Sequence, residues 1–195
     1  MKNLYFIRHG MAVHNVLSKK YGSGVFYSKY YQDCLLVPEG KKQSKLLGLQ
    51  WQHKSDIQLV ITSPLKRCLE TTHLIFSENK IPVIVLDECI EYPQGQQYCN
   101  KRSTKNELEV LYPHYFFHNL VNVDINWHRL HNESLDELEK RIKKFNDFLY
   151  NRPERNIAIV THTNFINLYK NNFSPIFNYD SKKELLHCHP YLHKL

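Results

Sequence analysis

An α/β fold in three layers, a largely parallel sheet with helices on both faces, is the class this sequence predicts. Three observations carry it. Four short apolar runs, at 4–7, 59–61, 83–86 and 157–160, are continuous rather than alternating, as strands buried on both faces are. Segments with helical spacing and helix-start signals lie between them. The 195 residues, 42% hydrophobic with only 6 Gly and 8 Pro, are enough chain for one well-packed domain without disulfides or metal.

The first run ends in Arg8-His9-Gly10. Pro38 opens a helix reaching about Trp51, because proline at a first helical position has its φ already set and lacks only an N–H that would go unpaired. After the second run, Ser63-Pro64 reads as the N-cap and first-turn pair of a helix carrying Leu65, Cys68, Leu69, Thr72 and Ile75. The third run leads into Asp87-Glu88-Cys89-Ile90-Glu91 and a turn at Tyr92-Pro93-Gln94-Gly95. Residues 92–132 have little periodicity and read as an insertion that could cover a site. Ser134-Leu135-Asp136-Glu137 is a capping box ahead of Leu135, Leu138, Ile142, Phe145 and Leu149, whose spacing is helical. The fourth run reaches Thr161-His162-Thr163 at the start of a short helix. The chain closes on a terminal strand with a frayed end, where the spacing of His187, His189 and His193 fits no zinc-ribbon or helical ligand set.

In open α/β sheets, ligands bind outside the carboxyl ends of the strands. Each predicted strand delivers a chemically capable group there: Arg8 and His9, then Arg67 on a helix first turn, then Glu88 or Glu91, then His162. An imidazole can accept a phosphoryl group, guanidinium forks bind its oxygens in pairs, and a helix N-terminus favours anions. Glycine after the histidine would let backbone N–H groups approach closely. For a lone histidine the ordinary role is a solvated or hydrogen-bonded one, and for most of the 12 here that is the expectation.

These residues, with His14-Asn15, Ser63-Pro64-Leu65-Lys66-Arg67, Glu133-Ser134 and Arg141, resemble the histidine phosphatase superfamily in its phosphoglycerate-mutase-like branch, over roughly residues 3–170 and in the family's order. The resemblance implies a phosphatase that hydrolyses phosphomonoesters through a phosphohistidine on His9, with Arg8, Arg67 and His162 holding the phosphoryl oxygens. Glu91 would be the acid that protonates the leaving oxygen, with Glu88 as its competitor. Asn15 and the Thr163 backbone N–H would be further substrate donors, and neither metal nor cofactor is implied. Two alternatives use the same residues: a phosphoglycerate mutase, and a non-catalytic scaffold that binds phosphorylated ligands. Threonines flank His162 where the family more often has small residues.

The formal charge of +7 suits an anionic small molecule or phosphoprotein substrate, but the lysines come as scattered pairs and form no basic stripe for nucleic acid. No run approaches the ~18 apolar residues that span a membrane, and no secretory leader is read at the N-terminus. Five cysteines, odd in number and without a C-x-x-C pair, point to free thiols in the cytoplasm. Specificity is expected in residues 16–32, with Gly22-Ser23-Gly24, and around Cys99-Asn100-Lys101-Arg102.

Overall fold

Strands that are apolar along their whole length need cover on both faces, and two helical layers supply it. The computed structural model describes residues 1–117, 119–128, 130–173 and 184–195. Strands β1 (Asn3–Arg8), β2 (Leu59–Thr62), β3 (Val83–Val85) and β4 (Asn156–Thr161) are parallel. Strand β5 (Pro190–Lys194) joins antiparallel to β1, giving the order β3-β2-β4-β1-β5. The four predicted strands are thus present, extended by a residue or two at their ends or, for the third, one shorter. The terminal strand is not frayed. Lys2 and Leu195 exchange backbone hydrogen bonds of 2.7 and 2.9 Å, and His193 is buried with its ring 5.6 Å from that of Tyr169.

The pleat sorts the core. Leu4 and Phe6 of β1, Leu59 and Ile61 of β2, and Ile157 and Ile159 of β4 pack against α5 (Leu135–Tyr150) and α6 (Thr163–Phe173), through Leu138, Ile142, Phe145, Leu149, Phe165 and Tyr169. Tyr5, Ile7, Val60, Ala158 and Val160 face the opposite layer, α2 (Pro38–Gln50) and α3 (Lys66–Phe76), through Cys68, Ile75, Phe76 and Leu47. Ser134 and Glu137 form the reciprocal cap of α5, with Glu137 N–H to Ser134 Oγ at 3.3 Å and Ser134 N–H to Glu137 Oε2 at 2.8 Å. Leu135, counted in the apolar spacing, is 60% exposed and takes no part in the core.

Ser63-Pro64 does not cap α3. The helix starts at Lys66, with Leu65 in extended geometry, and the acceptor for the Lys66 N–H is Asp33 Oδ1 at 2.8 Å. The other oxygen of Asp33 accepts from Ser103 N at 2.8 Å. One buried carboxylate, on a residue held at φ +46°, therefore ties the start of α3 to the segment after β3. The insertion is more ordered than its lack of periodicity suggested, although residues 118 and 129 lie outside the described residues. It contains α4 (Lys105–Leu111), capped by Thr104 and Glu107, a Thr-x-x-Glu signature that was present in the sequence. It also pairs Phe116 with the edge of β3 and buries Leu108, Phe117 and Leu120 against Leu69 and Val85.

Candidate active site

The parallel register of β1 and β4 aligns Arg8 with Thr161, so the residues that follow each strand emerge side by side. The His9 N–H donates to Thr161 O at 3.0 Å, and the His9 and His162 ring centres are 5.2 Å apart. Both side chains are buried, at 3% and 0% exposure. Arg67 follows β2 as the second residue of α3, also fully buried. Arg8, His9, His14, Asn15, Arg67, Glu91 and Thr163 line one cavity of about 270 Å³. His162, though next to His9, does not line this cavity.

The His9 ring is held by its Nδ1, 2.7 Å from Gly10 O. A carbonyl only accepts, so Nδ1 carries the proton and Nε2 keeps its lone pair. Burial, then the charges of Arg67, His162, His14 and Arg8, hold the His9 pKa well below the usual imidazole value. The ring is thus neutral at pH 7 and its free nitrogen is nucleophilic. His162 is shifted in the same direction by burial and Arg67, and its Nε2 lies 2.9 Å from Ser63 Oγ. Ser63, expected to cap a helix, instead orients this imidazole.

The Arg67 fork is aimed by the insertion. Nη1 donates to Cys99 O at 2.7 Å and Nη2 to Asn100 Oδ1 at 2.9 Å, while Nε is buried without a partner among the described residues. Arg8 Nη1 donates to Glu184 Oε1 at 3.0 Å and to the Leu185 carbonyl, and its Nε is likewise unpaired. Two guanidinium groups, each with a buried N–H donor unpaired among the described residues, thus line one small cavity.

Glu91 and Glu88, two candidates in one stretch, are separated by the fold. Glu91 lines the histidine cavity and accepts from the backbone N–H groups of Tyr92 at 2.9 Å and Phe165 at 3.1 Å, at the N-terminus of α6. Burial raises its pKa against the opposing pull of those N–H groups and Arg67. Glu88 lines a different cavity, of about 450 Å³, with Arg141, Glu133 and Lys144.

Other expectations are revised. Gly10 does not offer its N–H to the cavity: that group donates to Thr71 Oγ1 at 2.9 Å. Its missing side chain serves packing instead, since a Cβ there would lie 2.5 Å from Gly40 O. Asn15 acts as a helix cap, Oδ1 accepting from Ala12 N at 3.0 Å, while also lining the cavity. Thr163 begins α6, and its Oγ1 is buried without a partner among the described residues. Arg102, in the stretch expected to read substrate, is buried and pairs with Asp87 at 2.8 Å, pinning the insertion. Ser18, Lys19 and Phe26 reach the cavity rim, whereas Gly22, Ser23 and Gly24 do not line it.

Sequence reasoning missed Glu184 and His187. Pairing of β5 with β1 brings His187 Nδ1 to His9 O at 2.6 Å, and burial and Arg8 push its pKa down to about 4. No local signal marks either residue. Among the described residues, no group of three His, Cys, Asp or Glu side chains is placed to hold a metal ion.

An α/β sheet whose carboxyl edge gathers two histidines, two arginines and a buried glutamate around an anion-sized cavity defines a narrow class of protein. The model of the histidine phosphatase superfamily (branch 1) matches residues 4–178, and the chain belongs to that superfamily. It is 31% identical to phosphoglycerate mutase-like protein 1 of Arabidopsis thaliana, over 94% of this chain and 76% of the relative. A Schizosaccharomyces pombe protein named as a probable phosphatase is 30% identical over 87% of this chain and 77% of its own length. The fold is similar to that of the alpha-ribazole phosphatase from Shigella flexneri, with a TM-score of 0.60 and 22% identity over 88% of this chain and 80% of that one. It is also similar to a mycobacterial glucosyl-3-phosphoglycerate phosphatase, with a TM-score of 0.64 and 16% identity over 98% and 90%.

Proposed function

We propose that the protein is a phosphatase that hydrolyses phosphomonoesters through a phosphohistidine on His9. The observation that carries this reading is the fixed proton on His9 Nδ1, which leaves Nε2 as an unprotonated nucleophile beside two arginines with unpaired buried donors. His9 Nε2 attacks phosphorus, the P–O bond to the alcohol breaks, and the leaving oxygen takes a proton from Glu91. Glu91, now a carboxylate, accepts a proton from the water that cleaves the P–N bond. Arg8 and Arg67 stabilise the charge spread over the equatorial oxygens, a contribution of about 10²–10³ in rate for each donor removed. Asn15 and Thr163 border the same space.

A cavity of about 270 Å³ suits a phosphoryl group carrying a small alcohol, with Ser18, Lys19, Phe26 and Glu184 at its rim. Such a substrate would be a phosphorylated small molecule or an exposed phosphorylated side chain of a protein. Five unpaired cysteines support a reducing, cytoplasmic setting.

The test is turnover of a panel of phosphorylated metabolites and phosphopeptides by the protein and by His9→Ala, with chemical trapping of the phosphoenzyme. The expected outcome is an acid-labile, alkali-stable adduct that His9→Ala lacks, together with loss of turnover. Wild-type rates in His9→Ala would overturn the reading. Phosphoryl transfer to a second hydroxyl in preference to water would make the protein a mutase, and tight phosphate binding without turnover a scaffold.

A further inference from the structure

His14 is the second buried imidazole of the cavity and has no part in the scheme above. It is 6% exposed, lines the same cavity as Arg8, His9 and Arg67, and its ring centre is 5.9 Å from that of His9 and 6.1 Å from that of Phe26. Three hydrogen-bonding facts fix its proton. Ala12 N–H donates to Asn15 at 3.0 Å, which identifies the accepting atom as Oδ1. The remaining Asn15 atom, Nδ2, can only donate, and it lies 3.2 Å from His14 Nε2. His14 Nε2 is therefore the acceptor, and the neutral ring carries its hydrogen on Nδ1. That Nδ1 is buried without a partner among the described residues. Burial and the charges of Arg67 and Arg8 keep the ring neutral, so the tautomer is the relevant state at pH 7.

A buried donor left unpaired is costly and marks a place where a ligand completes the structure. We infer that His14 is a substrate-contacting residue whose Nδ1–H donates to a phosphoryl oxygen, and that Asn15 is the positioning residue that sets this tautomer. The inference rests on reading the cavity as a phosphate site, but it concerns binding and not turnover. It gives helix α1 (Val13–Tyr21) a direct role: the Asn15 cap at its N-terminus also programs the proton of the preceding histidine.

The two nitrogens of histidine can be mimicked separately. An asparagine amide nitrogen falls near Nδ1, and a glutamine amide near Nε2. Inorganic phosphate binding by calorimetry is the readout for His14→Asn, His14→Gln and His14→Phe, with thermal unfolding to establish that each is folded. His14→Gln and His14→Phe are expected to weaken phosphate by about 10–100-fold, the range for a hydrogen bond to a charged acceptor. His14→Asn is expected to recover to within about threefold of the parent. Equal binding by all three variants and the parent would overturn the inference, as would equal loss in all three or retention by His14→Gln alone. If His14→Phe does not fold, the Asn and Gln pair decides. Phosphate binding that follows this pattern in a protein without turnover would sink the phosphatase reading and leave the His14 contact standing.

Discussion

Glu184 Oε1 lies 3.0 Å from Arg8 Nη1, and the adjacent Leu185 carbonyl accepts from the same nitrogen. The Glu184 side chain is 60% exposed whereas that of Arg8 is buried, so a solvated carboxylate covers one arm of a guanidinium that faces the cavity. On the proposed function, a phosphoryl group would compete with Glu184 for that arm. An exposed ion pair is worth up to about 1 kcal/mol, so Glu184→Gln should lower KM for a phosphomonoester, or Kd for inorganic phosphate, by about two- to fivefold. A raised KM would mean that Glu184 instead holds Arg8 in its working position.

Glu91 should set a pH limit on slow leaving groups. Burial raises its pKa, so the carboxyl stays protonated to a higher pH than a solvated glutamate and loses its proton as pH rises through that raised value. Rates on alkyl phosphates should fall along the same limb. Glu91→Gln should remove the limb and cost about 10²-fold on alkyl phosphates, with a smaller loss on p-nitrophenyl phosphate, whose leaving group needs no proton. pH–rate profiles of the two proteins with both substrates are the measurement, and equal losses on both would take the acid role away from Glu91.

The neutral histidines should make stability sensitive to acid. The folded pKa of His162 lies well below its unfolded value near 6.5, so below about pH 6.5 the unfolded chain binds the extra proton. The stability conferred by neutral His162 is complete above that pH and is lost as pH falls toward the folded value, by about 1.4 kcal/mol per pH unit. Asp33 and Glu91, with raised pKa values, act in the opposite sense, so the comparison must be between variants. His162→Gln, whose amide can still reach Ser63, should lose less stability between pH 6.5 and 5.5 than the parent by about 1 kcal/mol in denaturant titrations. Parallel curves would refute the assignment.

Asp33 should matter for folding out of proportion to its place in a loop. Its two oxygens accept from Lys66 N and Ser103 N, both at 2.8 Å. Asp33→Ala leaves two backbone donors without acceptors and should cost about 3 kcal/mol in chemical unfolding. Asp33→Asn should cost less, because asparagine tolerates a positive φ and keeps one acceptor. Stability within about 0.5 kcal/mol of the parent in Asp33→Ala would show that water substitutes for the carboxylate.

What could be read along the chain was whatever a strand or helix delivers within a few residues. His9, Arg67 and His162 were legible because each lies one to five residues past an apolar strand. The capping box at Ser134 was legible because its partners are three residues apart. The cap of α3 was not, since its acceptor, Asp33, is 33 residues upstream. Gly10 and Ser63 were assigned local roles, yet Gly10 makes room for Gly40 of α2, and Ser63 reaches across to His162.

The sequence by itself determined the strands, the class of fold and the residues that arrive at the carboxyl edge, because periodicity and helix-start chemistry act over one or two turns. The tertiary structure decided which glutamate shares the cavity with His9, which nitrogen of His9 keeps its proton, and that Glu184 and His187 come to Arg8 and His9. The last of these depends on pairing across the sheet, which sets Lys194 of β5 against Asn3 of β1. Hydrogen-bond partners and burial are properties of that packing, and they set the proton positions on which the chemistry of the site rests.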